Sequence, residues 1–165
     1  MRGHSRWVGI LIGGAIGALV ACEPEEPTCI MNLGIDITNV VVNSYNDVIR
    51  NSPSGSGSWV YNCNMGGSAS ITGSVNTSTV TFDLTYTFHD CKAQDLGDVI
   101  TLDGVMQDTT SNGGGDNKVE SASSDALTIR GNVIGCNADP IDATCDVNIF
   151  YSGTWLTTIC GLSYP

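Results

Sequence analysis

Residues 79–89 read TVTFDLTYTFH. Val80, Phe82, Leu84, Tyr86 and Phe88 fall on one face of an extended chain, and Thr79, Thr81, Asp83, Thr85 and Thr87 on the other. Alternation with period two marks a strand with one side in a core and one in water. Residues 68–76 alternate likewise, with Ala69, Ile71, Gly73 and Val75 apolar. A two-residue turn at Thr77 and Ser78 pairs Val75 with Val80, Gly73 with Phe82, Ile71 with Leu84 and Ala69 with Tyr86. Every apolar residue then meets an apolar partner, as a half-buried antiparallel hairpin requires.

Working outward, residues 58–63 predict a short strand that stops before Gly66-Gly67, and residues 99–107 and 126–134 predict two more. Between these last two, residues 109–116 (TTSNGGGD) read as a flexible loop. Residues 146–151 and 154–159, turned by Ser152-Gly153, complete a sheet of about seven strands.

The segment 29–51 has a different period. Ile30, Leu33, Ile37, Val40 or Val41, Ser44 and Val48 recur at helical spacing, with Met31, Gly34, Tyr45 and Ile49 widening the stripe. Thr28 is placed to cap the start, and Pro53 with the Ser-Gly run of 54–57 to end it. The β-branched runs at 35–38 and 40–42 favour strand, but some 20 residues without a turn signal suit a helix better than a strand of ordinary length. The expected fold class is therefore α+β: one N-terminal helix packed on a strongly twisted antiparallel sheet.

The N-terminus gives an address. Arg2 and Arg6 lie in an acid-free start, residues 7–20 are uncharged and apolar apart from glycines, and Leu19-Val20-Ala21-Cys22 follows. A basic start, a short apolar run and a small residue before the cut make a secretory signal; the run is short of the about 20 residues a bilayer span needs. The last four residues resemble the bacterial lipobox, which implies cleavage before Cys22 and its acylation, palmitate included. Residues 1–21 are then a lipoprotein signal peptide, 22–28 a lipidated tether containing EPEEP, and 29–165 a single domain. Glu23 rather than Asp follows the Cys, which by resemblance to enteric sorting rules favours the outer membrane.

Loss of the leader leaves 144 residues, one ordinary domain. It also removes Arg2 and Arg6, so the formal charge falls from −11 to −13. Such a surface repels phosphate backbones, and nucleic acid is not an expected partner.

Six cysteines remain after Cys22: Cys29, Cys63, Cys91, Cys136, Cys145 and Cys160. An even number in an exported chain points to three disulfides. Zinc is the competing reading, against which stand the lack of a CxxC pair and a single remaining histidine, His89. Cys63 and Cys91 bracket the central hairpin. With Ser152-Gly153 as a two-residue loop, Cys145 and Cys160 stand directly opposite, within disulfide reach, which leaves Cys29 for Cys136. The rival arrangement joins Cys136 to Cys145 and Cys29 to Cys160, and spacing alone leaves it open.

Cys63 with Gly66-Gly67-Ser68, the TGSV of 72–75, the TFDLTYTFHDC of 81–91, the ITLDG of 100–104 and the closing Cys160-Gly161 resemble a group of uncharacterised, predicted bacterial lipoproteins. These carry a disulfide-linked, β-hairpin-rich domain. The likeness covers roughly residues 63–161 and implies an architecture but no site.

Candidate chemistry is sparse. His89-Asp90-Cys91 suggests a Cys/His nucleophile, but a bridged sulfur is no nucleophile, and such pairs usually come from distant parts of a chain. Asp95, Asp98, Asp103, Asp108 and Asp116, with Asn112 and Asn117, lie about loops where calcium ligands are found. They fit neither an EF-hand nor the nonapeptide repeat, and solvated acids are the default reading; Asp139 and Asp142 are a weaker set of the same kind. Phe82, Tyr86, Phe88, Trp59, Tyr61 and Trp155 either line a pocket for an apolar ligand or form core under the helix, and core is preferred. An acid pair of the glycosidase kind depends on a distance that sequence does not supply. No catalytic residue, metal ligand or cofactor is assigned. The expectation is a non-enzymatic structural or binding role at the cell envelope, held to the membrane by lipid. A carrier of an apolar ligand in the concave side of the sheet is the alternative, and an enzyme comes third.

Overall fold

The computed structural model of the protein describes residues 27–76, 78–79, 81–95, 97–112, 118–136, 140–151 and 155–164. The leader, Cys22, Glu23 and most of the tether lie outside the described residues. So do Thr77, Val80, residues 113–117 (with Asp116 and Asn117), Asp139 and the turn residues 152–154.

Helix α1 runs over Pro27–Ser44 and passes into a π-helical turn over Tyr45–Ile49. It is already helical at Pro27, so Thr28 lies inside the first turn rather than capping it. The expected stripe is buried at Ile30, Leu33, Ile37 and Val41. The π turn inserts one residue, closed by the Arg50 N–H donating to the Tyr45 carbonyl at 2.9 Å, and this moves the next buried position from Val48 to Ile49. Just before it, the buried Ser44 hydroxyl donates to the Val41 carbonyl at 2.7 Å, a back-bond that eases a helix out of regular geometry.

Eight strands follow: β1 Gly55–Asn62, β2 Ser68–Asn76, β3 Thr81–Asp95, β4 Asp98–Asn112, β5 Lys118–Asn132, β6 Ile141–Tyr151, β7 Trp155–Ile159 and β8 Leu162–Tyr164. They form one antiparallel sheet in chain order, β1 to β8. The sheet thus has eight strands rather than about seven; β8 is a three-residue strand too short for periodicity to signal.

Three further expectations are corrected. The β2–β3 register pairs Val75 with Phe82, Gly73 with Leu84, Ile71 with Tyr86 and Ala69 with Phe88. It is two residues off the expected one, because the connection spans four residues. The Asn76 side-chain oxygen accepts the Ser78 and Thr79 amides at 3.1 and 3.3 Å and shapes the wider turn. A shift of two keeps the same face inward, so Leu84, Tyr86 and Phe88 are buried as expected. Secondly, residues 109–112 belong to β4, whose pairing runs on from Thr109–Ser121 to Asn112–Lys118, leaving only 113–117 between the strands. Thirdly, β6 and β7 pair Val147 with Ile159 and Tyr151 with Trp155, a register one residue off that of a two-residue turn.

The long strands curl. Two residues of β3, His89 and Asp90, oppose one residue of β4, and β5 is interrupted between Ser123 and Leu127 against β4 and between Ser124 and Leu127 against β6. Each bulge adds twist and moves the inward set from even to odd numbers, as from Phe88 to Cys91 and from Ser124 to Leu127. Gly73 and Gly131 sit at φ +148° and +145°, where a Cβ would collide with the carbonyl oxygens of Asp83 and Val99 on the next strand. The sheet closes over α1, which packs against β3, β7 and β8. At Gly34 a Cβ would meet the Thr157 side chain at 2.7 Å, so helix and β7 touch almost backbone to side chain. No described helix is long and apolar enough to cross a membrane.

Candidate functional site

The cysteines form three pairs: Cys29–Cys136, Cys63–Cys91 and Cys145–Cys160, with Cα separations of 4.5, 5.4 and 5.0 Å. The third does not arise from direct opposition. Cys160 lies in the turn after β7 at φ +53°, its N–H donating to the Asp146 carbonyl at 2.9 Å. This left-handed turn swings the sulfur back to Cys145. Around the first pair the chain is knitted further: the Ile134 N–H donates to Asp98 Oδ1 at 2.9 Å and the Ile134 carbonyl accepts Asn32 Nδ2 at 2.7 Å.

The residues singled out for chemistry are dispersed. Cys91 is bridged and fully buried, while His89 faces solvent on the bulge. Asp90, at φ +46°, pairs with Arg130 at 2.8 Å, and its N–H donates to Asp103 Oδ2 at 3.3 Å. Asp98 serves the Ile134 amide, Asp142 lies opposite Arg130 in the sheet, and Asp108 points into the interior, 1% exposed. Asp95 is described by its strand position alone. Among the described residues, no three His, Cys, Asp or Glu side chains gather as metal ligands would.

The aromatic stripe meets the helix. Phe82 packs on Tyr45 with ring centroids 5.1 Å apart, and Tyr86 stacks on Phe88 at 5.9 Å. Trp59 is half-buried against the edge of the same core, its Nε1 donating to Ser52 Oγ at 2.7 Å, Tyr61 is buried in it, and Trp155 is described only as a strand position. The concave side is thus occupied by α1, with Leu33, Ile37, Val41 and Ile49 in one cluster with Leu84, Tyr86 and Phe88. Within it the Tyr86 hydroxyl and Thr110 Oγ1 are buried without a hydrogen-bond partner among the described residues. Burial first, and the Asp108 carboxylate second, push the Tyr86 phenol well above its ordinary range, the nearby Ser44 hydroxyl opposing them.

One recess is built differently from this core. Asp36, Asn39, Val40 and Asn43 lie at i, i+3, i+4 and i+7 of α1 and so share one flank. They face Tyr61 of β1, Asn64 of the following turn, Ala93 and Gln94 of β3 and Ile100 of β4, and the cleft between encloses about 230 Å³. Its floor is buried: Val40, Ile100 and the Asp36 carboxylate, 6% exposed. Asn43, Asn64 and Gln94 form an exposed rim and Asn39 is half-buried between. The Gln94 N–H donates to Asn64 Oδ1 at 3.1 Å, and Asn64 Nδ2 donates to the Gln94 carbonyl at 3.2 Å, a reciprocal pair that fixes one wall. The Tyr61 phenol is raised by burial and then by Asp47, and stays protonated at neutral pH. Sequence reasoning assigned this cleft to nothing. The available signal was a polar flank, 36, 39 and 43, on a helix otherwise read for its apolar stripe.

No protein-family profile matches the chain, and neither a curated protein nor a solved structure does.

Proposed function

We propose that the chain is a membrane-anchored lipoprotein of the cell envelope, outer membrane favoured, whose domain has a non-enzymatic structural or binding role. The anchor rests on the leader and on Cys22 in a lipobox-like setting. The observation that carries the role is the filling of the concave side of the sheet: Ile37 and Ile49 of the helical segment, both 0% exposed, stand where an apolar cargo would sit. The dispersal of the acids and the bridging of Cys91 support the same reading, since acid–base and nucleophilic chemistry need groups that converge. Native mass spectrometry of the protein purified from its own envelope tests the reading against the carrier alternative. The compact module predicts the mass of the acylated chain alone; a stoichiometric co-purifying lipid or hydrophobic metabolite would establish a carrier instead.

A further inference from the structure

We propose that the end of the domain carrying Ile134 is a contact surface for the lipid bilayer, with the Ile134 side chain entering the membrane interface and Met65 at the edge of the contact. This rests on the anchoring of Cys22 proposed above and adds which face of the domain the anchor brings to the lipid. The first observation is reach. Residues 22–26 join the acylated position to Pro27, the first residue of α1, and at full stretch they span about 18 Å. The β5–β6 connection is fastened to that same first turn: Cys136 is bonded to Cys29, and a Cβ on Gly135 would stand 3.0 Å from the Thr28 side chain. Ile134 is thus held beside the root of the tether.

The second observation is presentation. The Ile134 N–H donates to Asp98 Oδ1 at 2.9 Å and its carbonyl accepts Asn32 Nδ2 at 2.7 Å, so its backbone is fixed from both sides. The side chain is nevertheless 62% exposed, the most of any large apolar residue described. A lone exposed aliphatic side chain is ordinary on a protein surface; one fixed within a tether's length of acyl chains meets their bilayer at every encounter. The third is topology. In an antiparallel sheet in chain order, the β1–β2, β3–β4 and β5–β6 connections share one end. Exposed Met65 lies in the first of these and Ile134 in the last, whereas Phe150 and Leu156, an exposed cross-strand pair, stand towards the opposite end. Charge supplies no attraction here: the chain is acidic, at −11 overall, and Glu23, Glu25 and Glu26 lie in the tether itself, so anionic head groups repel it. The contact is therefore apolar, with a zwitterionic lipid surface as partner. One isoleucine is too little to hold a domain on a membrane alone, and the anchor makes it effective by keeping the local lipid concentration high.

The test uses the full chain, expressed with its leader, purified with its acyl chains and placed in phosphatidylcholine nanodiscs, with methyl-labelled isoleucine, leucine and methionine. A water-soluble gadolinium chelate broadens methyls left in water, and a spin-labelled lipid broadens those at the bilayer. Ile134 is more exposed than Leu156, at 62% against 47%, so without lipid contact gadolinium would broaden it more. In nanodiscs the order is expected to reverse, with Ile134 broadened about twofold less than Leu156 by gadolinium and about twofold more by the lipid label. Ile134→Ser should raise the gadolinium broadening of Met65 while the remaining spectrum stays as it is, and high salt should leave the protection of Ile134 intact. An acylated chain in which gadolinium still broadens Ile134 more than Leu156 would overturn this proposal and leave the anchor standing. So would Met65 unchanged by Ile134→Ser, or protection that disappears as salt rises. A mature chain without acyl mass would remove the anchor and this contact together.

Discussion

Cys29, in the first turn of α1, is bonded to Cys136, just beyond β5, across 107 residues of chain and a Cα separation of 4.5 Å. Among the described residues no other disulfide ties the helix to the sheet; the other two link parts of the sheet at separations of 28 and 15 residues. Closing a longer loop restricts the unfolded chain more. Cys29→Ala with Cys136→Ala should therefore cost most, roughly 2–5 kcal/mol, and Cys145→Ala with Cys160→Ala about 3 kcal/mol or less. Urea unfolding of the two double variants measures both, and a larger loss for the short loop would show that native geometry rather than loop length governs.

Acylation of Cys22 is the most direct prediction from sequence. Mass spectrometry of the mature protein should show an N-terminal Cys bearing acyl chains, and Cys22→Ser should release the domain from membranes or block processing. A mature N-terminus elsewhere without acyl mass would refute the anchor.

Ile37 is 0% exposed and sits where the helix meets the sheet. Ile37→Ala should lower stability by about 2–5 kcal/mol, and Val41→Asp should unfold the domain, since an unpaired buried charge has no compensation there. Ile35→Ala, on the exposed side of the same helix, should change stability by less than about 0.5 kcal/mol. Denaturant midpoints distinguish a packed interface from a loosely laid helix.

Tyr86 makes stability depend on alkaline pH. Its phenol is raised in the folded state above the ordinary value of 10.0, so the folded form holds its proton where the unfolded form releases it. The contribution is fully present below about pH 10 and is lost as pH rises from there through the folded value. Tyr86→Phe should flatten that decline while changing stability at neutral pH by less than about 1 kcal/mol, because the hydroxyl has no partner to lose. Ultraviolet titration of tyrosinate, with urea unfolding at matched pH, reads both effects.

The central face was legible because the alternation from Phe82 to Phe88 survives any even slip of register. The register itself was not, since it depends on one side chain, Asn76, capturing two amides of the turn. The glycine run at 113–115 drew the eye to a loop, yet Thr109 and Thr110 pair with Ser121 and Glu120, and threonine is at home in strands. Cys145 and Cys160 were matched by a count that assumed direct opposition. The bond forms although that register is one residue off, because Cys160 turns through a left-handed conformation. The cleft drew on the helix, two strands beyond β1 and a turn, and convergence of such separate segments is a property of the folded chain alone. Only its helical flank, Asp36, Asn39 and Asn43, had a local signature.

The strand order β1 to β8 also has a meaning in time. Every strand pairs with the one made just before it, so the sheet can grow from a ribosome or a membrane pore as a ribbon, each addition needing only a nearby partner. The helix is the exception. It is made first, yet it packs against β7 and β8 as well as β3, and Cys29 waits more than a hundred residues for Cys136. Until Thr157 arrives to meet Gly34, part of its apolar face stays uncovered. The nascent domain therefore carries its most adhesive surface at the leading end and covers it with its last, so the interval between them is when aggregation or an assisting chaperone would act.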